Sequence, residues 1–274
     1  MIAYDQHLHT HCSHDSEESF EAICQAARAR GLSGIAITDH ADLFGVDAAE
    51  TVDRITRSFT EASEAGDRHP DLSVARGVEI GDYFVAPDGG RSVLSLFDYD
   101  LVIGSVHCFS FGALNGAYSR CDFGDGWSDG EIEGLFARYL SLVQTMAEKN
   151  DFDILAHLTC PLRYLVGKYR RKVDLARHRD AIASILTAVI RSGRALEVNT
   201  SGLSDGEPGG MMMPDEPVLS LYRDLGGKRI TFGSDAHVSG RVGAGFNEAR
   251  DRVAALGFTR YTVYRKREPI ELPL

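Results

Sequence analysis

The sequence lacks a long apolar run, a cysteine pair of the CxxC type and a run of lysine or arginine. Without an apolar run long enough to cross a bilayer, a membrane span is not expected. The first residues, MIAYDQHLHT, have neither the basic start nor the apolar stretch of a signal peptide, so we expect a soluble, cytoplasmic protein. The five scattered cysteines argue against a disulfide framework or a structural zinc knuckle.

Positive charge is also scarce. The chain has 29 lysines and arginines against 40 aspartates and glutamates, a formal net charge of −11. Proteins that bind nucleic acid normally carry a basic stripe, so a nucleic-acid partner is not expected. An anionic small substrate is still compatible with this charge, because bound metal cations invert the local field.

Short apolar runs alternate with amphipathic stretches along the 274 residues. The predicted strands are Ile2–Gln6, Gly34–Thr38, Leu72–Val78, Leu101–Val106, Phe152–Ala156, Arg194–Val198, Arg229–Gly233 and Tyr261–Tyr264. The predicted helices are Phe20–Arg30, Leu135–Lys149 and Asp174–Ser192. This alternation predicts parallel strands with helical crossovers, and the length suits an α/β barrel that forms a single domain over residues 1–274.

Two stretches show no clear periodicity. Gly112–Gly130 is rich in glycine and aspartate, and such a long loop on a barrel is more often functional than decorative. Ser201–Pro217 contains three adjacent methionines, which predict a flexible apolar patch.

Histidines and carboxylates concentrate at the ends of the predicted strands: His7, His9, His40, His107, His157, His237, Asp39, Glu79 and Asp235. In a barrel the carboxyl ends of the strands form the catalytic face. One residue separates His7 and His9 on an extended segment, so both rings point to the same side and suit the binding of one metal. A single histidine of this kind is more often an ordinary polar residue, but the whole series favours a metal cluster. Nitrogen and oxygen ligands without thiolates suit zinc, manganese or iron.

Seven segments resemble the successive motifs of the PHP (polymerase and histidinol phosphatase) superfamily: HLHTHCSHDS, ITDHAD, GVEIG, IGSVHCF, LAHLTCPLRY, LEVNTSGL and FGSDAH. Their order and spacing match from Ile2 to His237. The segments GEP and MPDEPVLSLYRDLGG, which follow VNTSGL, are most similar to the histidinol-phosphate phosphatase branch. The resemblance implies a distorted (β/α)7 barrel of the TIM type.

The resemblance also implies a centre of three divalent metal ions, zinc, iron or manganese. The ligands expected for the first metal are His7, His9, Glu79 and Asp235. Those expected for the second are Glu79, as a bridging carboxylate, His107 and His157. Those expected for the third are Asp15, His40 and His237, with His14 as an alternative to Asp15. Asp39 is expected to orient a ligand ring.

The activity implied is the hydrolysis of a small phosphorylated metabolite, L-histidinol phosphate, to L-histidinol and phosphate in histidine biosynthesis. A metal-bridging hydroxide would attack phosphorus, and Glu79, Asp235 and His237 are the expected catalytic residues. Arg163 is predicted to bind the phosphate through its guanidinium fork, and Arg241 is a second candidate.

Other functions stay open at this point, because Gly112–Gly130 matches no family motif and loops set specificity on this fold. One alternative is a PHP phosphoesterase for another small phosphorylated metabolite or a nucleotide. A second is a non-catalytic regulatory PHP module, and a third is a phosphatase that uses a cysteine nucleophile. The oligomeric state is likewise open.

Overall fold

The structure is a computed structural model that describes residues 2–203 and 210–274. Its strands, in chain order, are β1 (Tyr4–Leu8), β2 (Gly34–Ile37), β3 (Ser73–Gly81), β4 (Leu101–Ser105), β5 (Cys108–Phe111), β6 (Leu114–Ala117), β7 (Ile154–Leu155), β8 (Ala195–Asn199), β9 (Ile230–Gly233), β10 (Arg260–Arg265) and β11 (Glu268–Pro273). Its α-helices are α1 (Phe20–Ala29), α2 (Ala48–Arg68), α3 (Pro87–Leu94), α4 (Asp129–Lys149), α5 (Cys160–Leu162), α6 (Arg179–Arg191), α7 (Glu216–Asp224) and α8 (Phe246–Ala255).

Seven strands form one parallel sheet in the order β1-β2-β3-β4-β7-β8-β9. The edges of this sheet meet, because the His9 amide donates to the Ala236 carbonyl at 3.0 Å and the Asp235 amide donates to the His7 carbonyl at 2.9 Å. The sheet is therefore nearly closed, and the predicted seven-stranded α/β barrel is confirmed. Within the described ranges, every helix is too short or too polar to span a membrane.

Apolar side chains at helical spacing attach the outer helices to the barrel. In α1, Phe20, Ile23 and Ala27 are buried on one face, and the Ser19 side chain caps the first turn. Helix α4 begins at Asp129, six residues before its predicted start. The first turn is polar, so the apolar pattern of the sequence does not reveal where the helix starts. A capping box between Ser128 and Glu131 fixes this start.

Strands β1 and β3 extend two and three residues past their predicted ends, where buried polar side chains continue them. Strand β1 was expected to end at Gln6 but runs to Leu8, so that His7 lies within it. Strand β3 runs to Gly81 and includes Glu79, which is fully buried. An apolar run in the sequence marks a strand only as far as the interior around it is apolar. Here the interior of the barrel becomes polar at one end, so the predicted strands stop too early.

The two stretches predicted to be irregular contain ordered structure. The hairpin of β5 and β6 occupies the start of the first, with Gly112 at a φ of 55° in its turn. In the second, Met212 and Met213 are fully buried and Met213 pairs with Asn199, so the expectation of a flexible methionine patch is wrong for them. Residues 204–209 of that stretch, which include GEP, lie outside the described residues.

The carboxylate of Asp5 holds the closing seam of the barrel together. It accepts hydrogen bonds from the Ser234 amide at 2.9 Å, the Ser234 hydroxyl at 2.5 Å and the Gly243 amide at 2.8 Å. Asp5 and Ser234 are both buried, so water does not replace these bonds when the carboxylate is removed.

We predict that Asp5→Ala lowers the free energy of unfolding by about 2–4 kcal/mol, because buried donors lose their acceptor. Urea denaturation at one fixed divalent-metal concentration measures the effect, since bound metal adds to apparent stability. Asp71→Ala, which removes an exposed ion pair with Arg28, is the matched control and should change stability by less than about 1 kcal/mol. Equal effects of the two substitutions would contradict this role of Asp5.

Candidate metal centre

The barrel brings the nine predicted metal ligands together at the carboxyl ends of its strands. His7 lies in β1 and Glu79 in β3, and the other seven lie in the segments that follow strands. Two of these segments hold unusual backbone: His157 has a φ of 22° and Asp235 a φ of 53°. Left-handed backbone at residues other than glycine is concentrated at functional sites.

Four of these side chains form a first group on both sides of the barrel seam. His7 Nε2 lies 3.2 Å from Glu79 Oε2 and 3.7 Å from Asp235 Oδ1. His9 Nε2 lies 3.5 Å from the same Glu79 oxygen and 3.2 Å from the same Asp235 oxygen. Two imidazole nitrogens and two carboxylate oxygens therefore surround one point.

The second oxygen of Glu79 belongs to another group. Glu79 Oε1 lies 3.2 Å from His107 Nε2 and 3.1 Å from His157 Nε2. Glu79 thus faces a different set of histidines with each oxygen, the arrangement expected of a bridging carboxylate.

A third group lies beside the first. Asp15 Oδ2 is 3.2 Å from His237 Nε2, and Asp15 Oδ1 is 3.6 Å from His40 Nε2. The other ring nitrogen of His40, Nδ1, lies 2.9 Å from Glu79 Oε2 and so connects this group to the first. His14, the alternative to Asp15, has its Nε2 3.9 Å from Asp15 Oδ2, and both side chains are partly exposed.

The buried polar atoms of the cluster test whether these residues fit metal ions. Among the described residues, His7 Nε2, His9 Nε2, His237 Nε2 and Glu79 Oε2 are buried without a hydrogen-bond partner. Their separations of 3.2–3.7 Å match neighbouring ligands around a cation with bond lengths of about 2.0–2.2 Å. The donors therefore fit divalent metal ions, and several groups of three such side chains lie close enough to hold one.

Partners behind the rings aim their nitrogens at the cluster. His7 Nδ1 lies 2.6 Å from Glu197 Oε1, and His107 Nδ1 lies 3.0 Å from Asp42 Oδ1. A carboxylate only accepts, so each Nδ1 carries the proton and each Nε2 keeps its lone pair for a metal. Sequence reasoning missed Glu197 and Asp42. The available signals were a charged residue inside a buried strand and a carboxylate two residues past His40.

Asp39 contacts a ligand ring through Ser13 and not directly. Its carboxylate accepts from the Ser13 hydroxyl at 2.7 Å and from the Thr10 amide at 2.6 Å. Ser13 Oγ in turn lies 3.1 Å from His9 Nδ1. Because Ser13 donates its hydroxyl proton to Asp39, the Ser13 oxygen is left to accept a hydrogen bond from His9 Nδ1–H.

Charge inside the cluster is strongly coupled. Burial raises the pKa of Glu79, but the adjacent His7, His107 and His40 outweigh it and hold this pKa well below its ordinary value. Burial lowers the pKa of His7, whereas the carboxylates of Glu197 and Glu79 raise it well above its ordinary value. The carboxylates of the cluster therefore stay ionised only beside compensating positive charge, which divalent cations also provide.

A cavity of about 810 Å³ opens above the cluster, and Arg163 lies in its wall. The Arg163 guanidinium donates to Ser201 Oγ at 3.1 Å, and Ser201 donates to Asn199 Oδ1 at 2.7 Å. Asn199 Nδ2 donates to Asp235 Oδ2 at 3.3 Å, which links this arginine to the metal cluster. Arg241 lies in the short turn Ser239–Arg241 and is not among the described residues that line the cavity.

All five cysteines are free. Cys108, Cys121 and Cys160 line the cavity, but burial raises the pKa of each of these thiols, that of Cys160 to about 11. A thiol with that pKa is almost entirely protonated at neutral pH, which disfavours a cysteine nucleophile.

Comparisons with known proteins agree with this geometry. The family model of the PHP domain matches residues 5–201. Two similar proteins are described as probable histidinol-phosphatases: that of Thermotoga maritima is 29% identical over 96% of both chains, and that of Clostridium acetobutylicum is 28% identical over 90% of this chain and 91% of the other. Among solved structures, histidinol phosphate phosphatase from Lactococcus lactis, complexed with zinc, L-histidinol and phosphate, superposes with a TM-score of 0.78 at 23% identity and 98% coverage of both chains. The family resemblance read from the motifs is confirmed, and the chain belongs to the PHP domain family.

Proposed function

We propose that this chain is a metal-dependent phosphomonoesterase that hydrolyses L-histidinol phosphate to L-histidinol and phosphate in the cytoplasm. The observation that carries the proposal is the position of Glu79, which faces separate sets of histidines with its two oxygens beneath an open cavity. The names of the similar proteins support the choice of substrate. Five free thiols are compatible with a reducing compartment.

The nine ligands would hold three ions, zinc, iron or manganese, in the three groups described above. When bound, such ions lower the pKa of water and neutralise phosphoryl charge. In the net reaction a water oxygen joins phosphorus, the ester P–O bond breaks and the alcohol leaves with a proton. Asp235 and His237, which line the cavity, and Glu79, which lies beneath it, are the proposed catalytic side chains.

The surrounding residues keep the site ready before substrate arrives. Glu197, Asp42 and Ser13 fix the tautomers of His7, His107 and His9, so these three rings do not need to turn. Arg163, held by Ser201, presents its guanidinium to the cavity, where it would bind phosphoryl oxygens and orient the ester.

The substrate assignment predicts that purified, metal-loaded protein hydrolyses L-histidinol phosphate with a kcat/KM at least about tenfold above other phosphomonoesters and nucleotides. A phosphate-release assay over such a panel measures this. A higher kcat/KM for another ester would contradict the substrate while leaving the phosphoesterase activity in place. Activity that survived complete removal of metal by a chelator would instead indicate cysteine chemistry, and no activity on any ester would favour a regulatory module.

Glu79→Gln should lower metal content, because the neutral amide removes the charge that two metal groups share. We expect kcat to fall by about a hundredfold or more. Elemental analysis and steady-state kinetics measure the two effects separately. Glu64→Gln, on the exposed side of α2, is the matched control and should change neither quantity. Near-normal metal content together with near-normal turnover in Glu79→Gln would rule out the proposed centre.

Arg163→Ala should raise KM for the ester by about tenfold or more, because one charge-assisted contact to phosphate is lost. Metal content should stay constant, which elemental analysis checks. Arg177→Ala removes an exposed arginine outside the cavity and serves as the control. A loss of metal in Arg163→Ala would show that its link to Asp235 through Ser201 and Asn199 is structural.

A further inference from the structure

A second arginine, Arg54 on α2, lies in the wall of the same cavity. Its Nε is buried and has no hydrogen-bond partner among the described residues. Among the described residues, no carboxylate oxygen lies within 4.0 Å of its guanidinium, the distance limit for an ion pair. A partly buried guanidinium without a counter-ion is unfavourable unless a ligand provides one.

Two other arginines of the same helix form ion pairs with glutamates of that helix. Arg57 lies 3.7 Å from Glu61, and Arg68 lies 3.6 Å from Glu64, each across one helical turn. Arg54 has Glu50 four residues before it, the favourable order for such a pair, yet the two are not in contact. Both side chains line the cavity instead.

Three of the four carboxylates that line the cavity are already engaged with histidines, and the fourth, Glu50, forms no ion pair with Arg54 among the described residues. Asp15 lies 3.2 Å from His237, and Asp235 lies 3.2 Å from His9. Asp42 Oδ1 accepts a hydrogen bond from His107 Nδ1 at 3.0 Å. The positive charge of Arg54 is therefore available to an anion that enters the cavity.

We propose that Arg54 is a further phosphate-binding residue of this site, which contacts the phosphoryl group of the substrate and the inorganic phosphate product. The inference rests on the proposed phosphomonoesterase function. The alcohol part of an amino-alcohol phosphate is cationic, so a guanidinium would repel it, and the phosphoryl group is the only anionic part. A planar guanidinium also suits two phosphoryl oxygens at once.

The test uses metal-loaded enzyme with Arg54→Met, which keeps the apolar stem, and Arg54→Lys, which keeps the charge. Calorimetric titration with inorganic phosphate gives Kd, and steady-state kinetics give KM for L-histidinol phosphate and p-nitrophenyl phosphate. In Arg54→Met we expect Kd and both KM values to rise about tenfold with unchanged metal content. Arg54→Lys should recover part of the affinity. Arg68→Met, on the exposed face of the same helix, should match the wild type.

An unchanged Kd for phosphate in Arg54→Met would overturn the inference, as would a rise in KM confined to L-histidinol phosphate. Loss of metal in both Arg54 variants would make this arginine structural and would equally overturn it. If the wild-type enzyme hydrolysed neither ester, the proposed function would fail. The calorimetric comparison would then still decide whether Arg54 binds phosphate.

Discussion

A fully buried carboxylate, Glu79, lies at the carboxyl end of the barrel among imidazoles that lie in or just after different strands. Burying a carboxylate is unfavourable by several kcal/mol unless positive charge and hydrogen-bond donors surround it. The backbone fixes its position, because β3 pairs with β4 at Ile103 and the Ala41 amide donates to the Glu79 carbonyl at 2.8 Å. A one-residue slip of β3 would turn this side chain out of the barrel. Strand register and the metal cluster therefore depend on each other.

Closure of the barrel is part of the same constraint. His7 and His9 come from one edge of the sheet and Asp235 from the other, so their group exists only while the seam is closed. The main-chain bonds of the seam involve these very residues: the Asp235 amide donates to the His7 carbonyl, and the His9 amide donates to Ala236. Metal bound by this group would join the two edges a second time, which predicts a tight coupling between metal binding and stability.

The sequence predicted the barrel and eight of the nine clustered side chains because polar residues that follow apolar runs are conspicuous, whereas Asp15 was expected only from the family resemblance. It did not reveal what supports them. Glu197 has a function only because His7 lies 2.6 Å away, across 190 positions of chain, and no local pattern carries that information. Helix α2 was not predicted because its sequence is rich in charge and threonine. The position of Arg54 in the cavity wall was therefore not predicted either. The single-domain organisation stays a prediction.

The parts that were hardest to predict form the walls of the cavity. The segment from Ala113 to Cys121, in and after the β5–β6 hairpin, lines one part, and the beginning of α2 lines another. Metal ligands must meet strict distances to one another, so they lie on strand ends whose register the whole barrel fixes. Wall residues need only face a substrate and can lie on elements that tolerate change. On the proposed function, the cluster would set the kind of bond that is broken, α2 would contribute Arg54 to phosphate binding, and the hairpin would face the rest of the ester.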